Sequence, residues 1–378
     1  MPAASHHMRR ALRLARLGTG RTGPNPMVGA VVVRDGAVVG SGYHIYSQLW
    51  HAERGALDAA GPAARGADLY VTLEPCCHHG RTPPCTDAIL AAGIRRVFCG
   101  MVDPNPLVAG GGIKRLRCAG IDVTVAGDPE PFRSLNRGFI SRVTRGRPWV
   151  TLKAAATLDG RIAPLSGHSR WISGERSRRH AHWLRFRHDA ILTGIGTVLA
   201  DDPLLTCRHK RPREQPPLRL VIDPALRLPP ESRLVATASA APVWVFCASA
   251  APPTARDALA ARGVTVVPVT TAGVGGLDLA AALRHLADAG VSSVLVEGGS
   301  RTTAGFIRAG LADEFCLYFA PMILGERSLP LAGDLGTLEL DGCPRLDIRR
   351  VRPLPPDWLF EGYFGVPPGD APSALPTR

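Results

Sequence analysis

Apolar runs broken by turn residues recur along the whole chain. VGAVVV (28–33), the Asp35-Gly36 pair and VVGSGYH predict a β-hairpin, because Asp-Gly supplies the positive φ values of a tight turn. Interleaved basic and apolar positions from Arg9 to Leu17 predict an amphipathic first helix, with His6 and His7 ahead of it as a solvated tail. HAERGALDAAG predicts a helix from about His51, with Gly61 past its end. LYVTL (69–73) reads as a strand, CTDAILAAG (85–93) as a short helix, and RRVFCGMVD and GIDVTVAG as further strands. The order β-β-α-β-α-β-β implies a three-layer α/β domain over residues 1–146.

Turn residues near TRGRPWV (144–150) mark a break. Beyond it WVTLKAA, DAILTG, LRLVID, VWVFC, VTVVPV, SSVLVEGG and EFCLYF are strand-like, and LDLAAALRHLADAG (277–290) is the clearest helix. These define a second α/β domain over 147–366. HKRPREQPP and the segment around PPESRL read as loops, and the Pro-rich end, 367–378, as a disordered tail.

Composition narrows the class. At 378 residues, 45% hydrophobic and 20% charged, the chain suits two globular domains. No apolar run reaches the roughly 18 residues of a membrane span, and the N-terminus lacks the apolar core of a signal peptide, so a cytoplasmic enzyme is expected. Nine cysteines with one dense cluster fit a reducing compartment. Cys99, Cys118, Cys247 and Cys316 read as small core residues. The net charge of +13 raises nucleic acid as a partner. Only three of the 45 basic residues are Lys, however, and the arginines are scattered, so a phosphorylated small molecule is the better expectation.

The dense cluster is EPCCHHGRTPPC, Glu74 to Cys85. With His51 and Cys85 at predicted helix N-termini and Cys76 after a strand, three soft ligands leave a fourth tetrahedral position for water. That is the mark of a catalytic zinc site. Glu53, two residues from His51, is placed to shuttle protons to a leaving amine, as in zinc deaminases of amidine-bearing rings. A structural zinc knot using Cys76, Cys77, Cys85 and a histidine is the blander reading. It gives HAE no purpose, and adjacent cysteines diverge in extended chain.

The eight residues between Cys76 and Cys85 replace a usual gap of two. This insert, TGPNPMVGAVVV and DPNPLVAGGG resemble the deaminase half of the bifunctional riboflavin-biosynthesis deaminase/reductase family. TLKAAATLDGRIA, SGHSRWIS, LTGIGTVLADDPLLTCR and LVEGGSRTTAGF resemble its reductase half, so the likeness spans about residues 9–366. The resemblance implies a cytidine-deaminase-like α/β/α domain and a dihydrofolate-reductase-like α/β domain, with zinc and NADPH as cofactors. It implies that Asn25, His44, His78, His79, Arg81, Asp103 and Asn105 line the pyrimidine pocket. In the second domain it implies Lys153, Asp201 and Glu297 as catalytic. Ser169, Arg185, Leu205 and Arg208 would hold substrate. Ala155, Trp171, Gly194, Thr197, Asp201, Gly298, Gly299 and Ser300 would hold cofactor. Core packing for Trp171 and a helix cap for Asp201 and Asp202 are the alternatives. The expected substrate is a phosphorylated pyrimidine, and the expected assembly a homo-oligomer, dimer or tetramer. The chain departs from the family before HAE, where Gln48 and Trp50 replace Gly and Pro and Gly55 follows Glu53. A paralogue acting on a related pyrimidine is therefore the runner-up.

Overall fold

The computed structural model describes residues 2–48, 50–80, 82–106, 108–165, 171–211, 213–272, 276–337 and 339–365. Arg81, Ser169 and the tail at 367–378 lie outside the described residues. The chain divides into two compact units, Met1–Gly146 with Arg213–Gln215, and Arg147–Pro212 with Pro216–Arg378.

The first unit runs α1 (Pro2–Ala15), β1 (Gly29–Arg34), β2 (Ala37–Tyr43), α2 (Ala52–Ala60), β3 (Asp68–Val71), α3 (Cys85–Ala91), β4 (Arg96–Cys99), α4 (Gly111–Cys118), β5 (Asp122–Val125), α5 (Glu130–Leu135) and α6 (Arg137–Arg145). Among the described residues its sheet has the order β2-β1-β3-β4-β5. β1 and β2 form the antiparallel hairpin, while β3, β4 and β5 are parallel. Alternation along β1 gives each face a core. Val32 joins Leu69, Val97, Ala56 of α2, Ile89 of α3 and Leu116 of α4. Val31 and Val33 pack with Tyr70 and Ala11 of α1. The three layers are thus real, but their connection differs from the expected β-β ending. The helix α4 crosses between β4 and β5, as a parallel pair requires.

Two smaller readings are corrected. His7 is not in a solvated tail: it lies within α1, buried, its ring 5.1 Å from that of Tyr70. Cys118, at the end of α4, is exposed, whereas Cys99, Cys247 and Cys316 are buried.

The second unit runs β6 (Trp149–Thr157), β7 (Arg161–Pro164), α7 (Glu175–Arg187), β8 (Ala190–Gly194), α8 (Ile195–Asp201), β9 (Leu218–Ile222), α9 (Arg233–Ala236) and β10 (Val243–Ala248). It continues with α10 (Pro253–Ala260), β11 (Thr265–Val269), β12 (Thr271–Ala272), β13 (Gly276–Leu277), α11 (Leu279–Asp288), β14 (Ser293–Val296), α12 (Ser300–Arg308), β15 (Glu314–Ala320), β16 (Ser328–Pro330), β17 (Leu346–Leu354) and β18 (Asp357–Phe364). Its main sheet has the order β11-β10-β9-β8-β14-β6-β15-β18-β17, parallel except that β18 runs antiparallel to both its neighbours, β15 and β17. One face packs Leu192, Val294 and Val296 against Leu283, Leu286 and Phe306; the other packs Ile191, Val221 and Val245 against Val198, Leu234 and Leu259. β14 enters between β8 and β6, so the ends of three central strands open on one side, where ligands of open α/β sheets bind. Among the described residues no helix is long and apolar enough to cross a membrane.

Candidate functional sites

In the first unit, His51 is the N-cap of α2 and Cys85 the first residue of α3, while Cys76 follows β3. His51 Nδ1 lies 3.1 Å from Cys85 Sγ and 3.6 Å from Cys76 Sγ, and the Cys85 N–H donates to Cys76 Sγ at 3.3 Å. One ligand atom from each of the three residues lies within 4.8 Å of the others. Hydrogen bonding from the Cys85 thiol, then from His51 and the Cys85 amide, pulls the Cys76 thiol down to about 4 despite burial, and the Cys85 thiol is pushed up in return. One imidazole and two sulfurs converging in this way fit zinc, with a fourth direction left for a small ligand. Glu53 is 4% exposed; burial, reinforced by the Cys76 thiolate, raises its carboxyl to about 7. Cys77 is not part of the cluster.

Asn25 and His44 are brought against this centre. The His44 ring stands edge-on to that of His51, 5.5 Å away. His44 Nδ1 lies 2.8 Å from the Trp50 carbonyl, which only accepts, so Nδ1 carries the proton and Nε2 accepts from the Asn25 amide at 3.1 Å. Sequence reasoning missed what fastens this loop. Buried Asn136 accepts from Met27 N at 2.8 Å and donates to Met27 O at 3.1 Å, and Arg142 donates to Pro24 O at 2.7 Å. Both come from the α5–α6 segment, which sequence reasoning left unassigned although α6 alternates apolar and basic positions.

Asp103 is buried, and burial first of all raises its carboxyl to about 6; that carboxylate accepts the Asn105 N–H at 2.8 Å. His78 and His79 are exposed, and neither they nor Asn25, His44, Asp103 and Asn105 line the cavity of about 430 Å³ beside His51, which is walled by Trp50, Thr82 and Pro84 among others. Trp50, one of the residues that depart from the family pattern, is 54% exposed there.

In the second unit a cleft of about 1510 Å³ is lined by Lys153, Ala155, Trp171, Arg185, Gly194, Thr197, Asp201, Leu205, Arg208, Glu297, Gly298, Gly299 and Ser300. Three strands build it: β6 supplies Lys153 and Ala155 from its middle, β8 ends at Gly194 where α8 begins, and β14 leads into Glu297-Gly298-Gly299 before α12. The Thr193 hydroxyl donates to Glu297 O at 3.0 Å, tying the two turns together.

Glu297 is the electrostatic centre of the cleft. It accepts from Arg185 Nε at 2.6 Å and Nη2 at 2.9 Å, and lies 3.5 Å from Lys153 Nζ. Burial alone would raise its carboxyl; Arg185 and Lys153 outweigh burial and hold it at about 2. Arg185, expected to hold substrate, is thus engaged with Glu297 and, through Nη1, with the Thr206 carbonyl at 2.9 Å. Arg208 is the exposed arginine of the pair. It lies against His182, a cleft-lining ring that sequence reasoning missed, with Nε 3.2 Å from the ring Nε2. Trp171 is 66% exposed with Arg178 4.7 Å over its ring, so core packing does not describe it. Asp202 ends α8 with φ +40°, and its carboxylate accepts from Arg233 N at 2.9 Å. Leu205 is buried with φ +48°.

A His-Cys-Cys cluster able to hold zinc on one α/β/α unit, and a cleft with a mostly buried cation pair on a largely parallel sheet, fit a two-domain deaminase and reductase. Residues 1–101 match the cytidine and deoxycytidylate deaminase zinc-binding region, and residues 148–360 the RibD C-terminal domain. The riboflavin biosynthesis protein RibD of Bacillus amyloliquefaciens is 43% identical over 353 residues, 93% of this chain and 94% of its own. The solved structure of Acinetobacter baumannii RibD superposes with a TM-score of 0.87 at 34% identity, covering 96% of this chain and 99% of that one. A Thermotoga maritima structure, described as a diaminohydroxyphosphoribosylaminopyrimidine deaminase/5-amino-6-(5-phosphoribosylamino)uracil reductase, gives 0.83 at 37% identity over 96% and 99%. The chain belongs to the RibD family: it is a bifunctional deaminase/reductase of riboflavin biosynthesis with a zinc-binding deaminase domain.

Proposed function

We propose that the first unit deaminates 2,5-diamino-6-(5-phosphoribosylamino)pyrimidin-4-one, and that the second reduces the ribosylamino group of the product to ribitylamino with NADPH. The observation that carries this reading is the pairing, in one chain, of the His51, Cys76 and Cys85 cluster beside buried Glu53 with the Lys153, Glu297 and Arg185 cleft. The name of the Thermotoga maritima relative supports the substrate class.

Zinc, held by His51, Cys76 and Cys85, would supply Lewis-acid activation of water. Glu53 takes up a proton in a dry site and returns it to the departing ring amine, so the amine leaves as ammonia. Asn25, His44, Asp103 and Asn105 orient the pyrimidine, with the His44 tautomer fixed by the Trp50 carbonyl. In the second unit NADPH would supply the hydride, and Ala155, Trp171, Gly194, Thr197, Asp201, Gly298, Gly299 and Ser300 would lie along it. Lys153 would polarise the ring-opened sugar imine for hydride transfer to its carbon and would supply the proton that its nitrogen takes. Arg208 holds the phosphate, and Glu297 holds Lys153 and Arg185 in register.

The test is mass spectrometry of products from that precursor with zinc-loaded enzyme, with and without NADPH. Without NADPH one amino group should be exchanged for oxygen with release of ammonia; with NADPH two hydrogens should be added as well. An unchanged precursor would overturn the reading, and turnover only of another pyrimidine would move it to the paralogue suggested by Trp50.

A further inference from the structure

Glu74 stands between β3 and the zinc ligand Cys76, and the chemistry above gives it no part. It is 3% exposed. A buried carboxylate needs its oxygens hydrogen-bonded. Here the donors are backbone amides of one distant segment, the stretch leading from β4 into α4. Oε2 accepts from Asp103 N and Gly110 N, and Oε1 from Ile113 N, each at 3.0 Å. The Glu74 backbone N–H donates to Met101 O at 3.0 Å, so main chain and side chain grip the same segment. Packing is flush as well: a Cβ added at Gly112 would lie 1.9 Å from the Pro75 carbonyl oxygen. The segment gripped is the one that carries Asp103 and Asn105, and Asp103 in turn fixes Asn105 through its carboxylate.

We propose that Glu74 is a positioning residue for substrate recognition in the deaminase unit. It ties the loop carrying Asp103 and Asn105 to the loop carrying Cys76, so that the pyrimidine-facing groups keep one spacing from the metal ligands. This rests on the reading that Asp103 and Asn105 face the pyrimidine. Glu74 acts through them and touches neither substrate nor metal.

The substitution Glu74→Gln preserves volume but turns one acceptor into a donor. With the amide oxygen toward Asp103 and Gly110, the amide nitrogen opposes the Ile113 N–H. KM for the pyrimidine should rise by about tenfold or more, the scale of one mis-satisfied buried donor, with kcat changed less than about threefold. One zinc per chain should remain, and reduction of the separately supplied deaminated intermediate should proceed at wild-type rate. In the double variant with Asp103→Asn, KM should stay within about twofold of the Asp103→Asn single, because residues acting in series do not add. Additive effects, loss of zinc, or a fall in kcat at unchanged KM would each overturn the proposal.

Should Glu74→Gln fail to fold, Glu74→Asp keeps the charge and shortens the reach, and the same KM and double-variant criteria apply. If the wild-type enzyme does not turn over the precursor, the functional reading fails on its own. Hydrogen exchange then decides: the Ile113 amide, which loses its acceptor in Glu74→Gln, should exchange faster in the variant, and equal exchange overturns the proposal.

Discussion

Replacing Glu297 by Gln removes the buried carboxylate against which Arg185 and Lys153 are held. Its side chain is 9% exposed; it takes a two-pronged contact from Arg185 at 2.6 and 2.9 Å and has Lys153 at 3.5 Å. Arg185 and Lys153 are themselves mostly buried, so neither charge can turn to water without moving. Holding a carboxyl at about 2 instead of 4.5 corresponds to about 3 kcal/mol. Breaking a buried ion pair by removing one partner costs about 3–5 kcal/mol, so the two routes agree. The second unit should therefore lose about 3 kcal/mol at pH 7 in Glu297→Gln.

The sign of the pH dependence follows from the depressed carboxyl. Its contribution is present above the unfolded value of 4.5 and is lost as pH falls from there toward about 2. The amide does not titrate, so the gap between wild type and variant should be constant from pH 7 to about 5 and close below it. Urea unfolding followed by tryptophan fluorescence suits the measurement, because five of the six tryptophans, all but Trp50, belong to the second unit. A gap below about 1 kcal/mol at pH 7, or one that does not narrow on acidification, would refute the electrostatic account.

Three further outcomes are expected. Cys85→Ser should lose zinc, measured by metal analysis, and ammonia release with it, while reduction of supplied intermediate continues. Glu53→Gln should instead keep zinc and still lose ammonia release, by about a hundredfold or more, as proton-relay residues do. A contrasting glycine pair tests the packing of α2 on β2 by thermal melting of the zinc-loaded protein. A Cβ at Gly55 would meet its nearest neighbour, the Gly42 Cα, at an ordinary 3.7 Å, so Gly55→Ala should stabilise by about 0.5–1 kcal/mol. A Cβ at Gly42 would lie 2.5 Å from the Ala52 carbonyl oxygen, so Gly42→Ala should destabilise by about 1–3 kcal/mol.

What could be read from the sequence was what is local. The β1–β2 hairpin is announced by Asp35-Gly36, α2 and α3 by apolar spacing closed by Gly61 and Gly93, and two members of the His51, Cys76 and Cys85 cluster, His51 and Cys85, by their places at the starts of those helices. The helix α4 escaped because it opens on glycines, GGIKRLRC, which read as turn; missing it also turned Cys118 inward, when the end of that helix faces solvent. The residues that fasten the sites escaped for a different reason. The side chains of Glu74, Asn136 and Glu297 act through partners 29 to 144 positions away, and a polar group that bonds at such a distance leaves no period in the sequence. Resemblance named Glu297 but not the fact that Arg185 is spent on it. Strand order was equally hidden: that β14 lies between β8 and β6, and so brings Glu297 beside Lys153, is decided by crossovers rather than by any single segment.

The eight-residue gap between Cys76 and Cys85 shows how an insertion can alter a pocket without disturbing a metal centre. What fixes the second cysteine is not the length of chain before it but its place as the first residue of α3, entered through Pro83 and Pro84. There the Cys85 N–H donates to Cys76 Sγ at 3.3 Å, and the Thr86 N–H donates to the Cys76 carbonyl at 3.2 Å. Those two bonds close the loop whatever lies between, because they join its ends directly. The intervening residues are then free to diverge: His78 and His79 reach solvent, while Thr82 returns to within 3.5 Å of the His51 ring. Change in this stretch should therefore show in which ring is accepted before it shows in whether zinc is held.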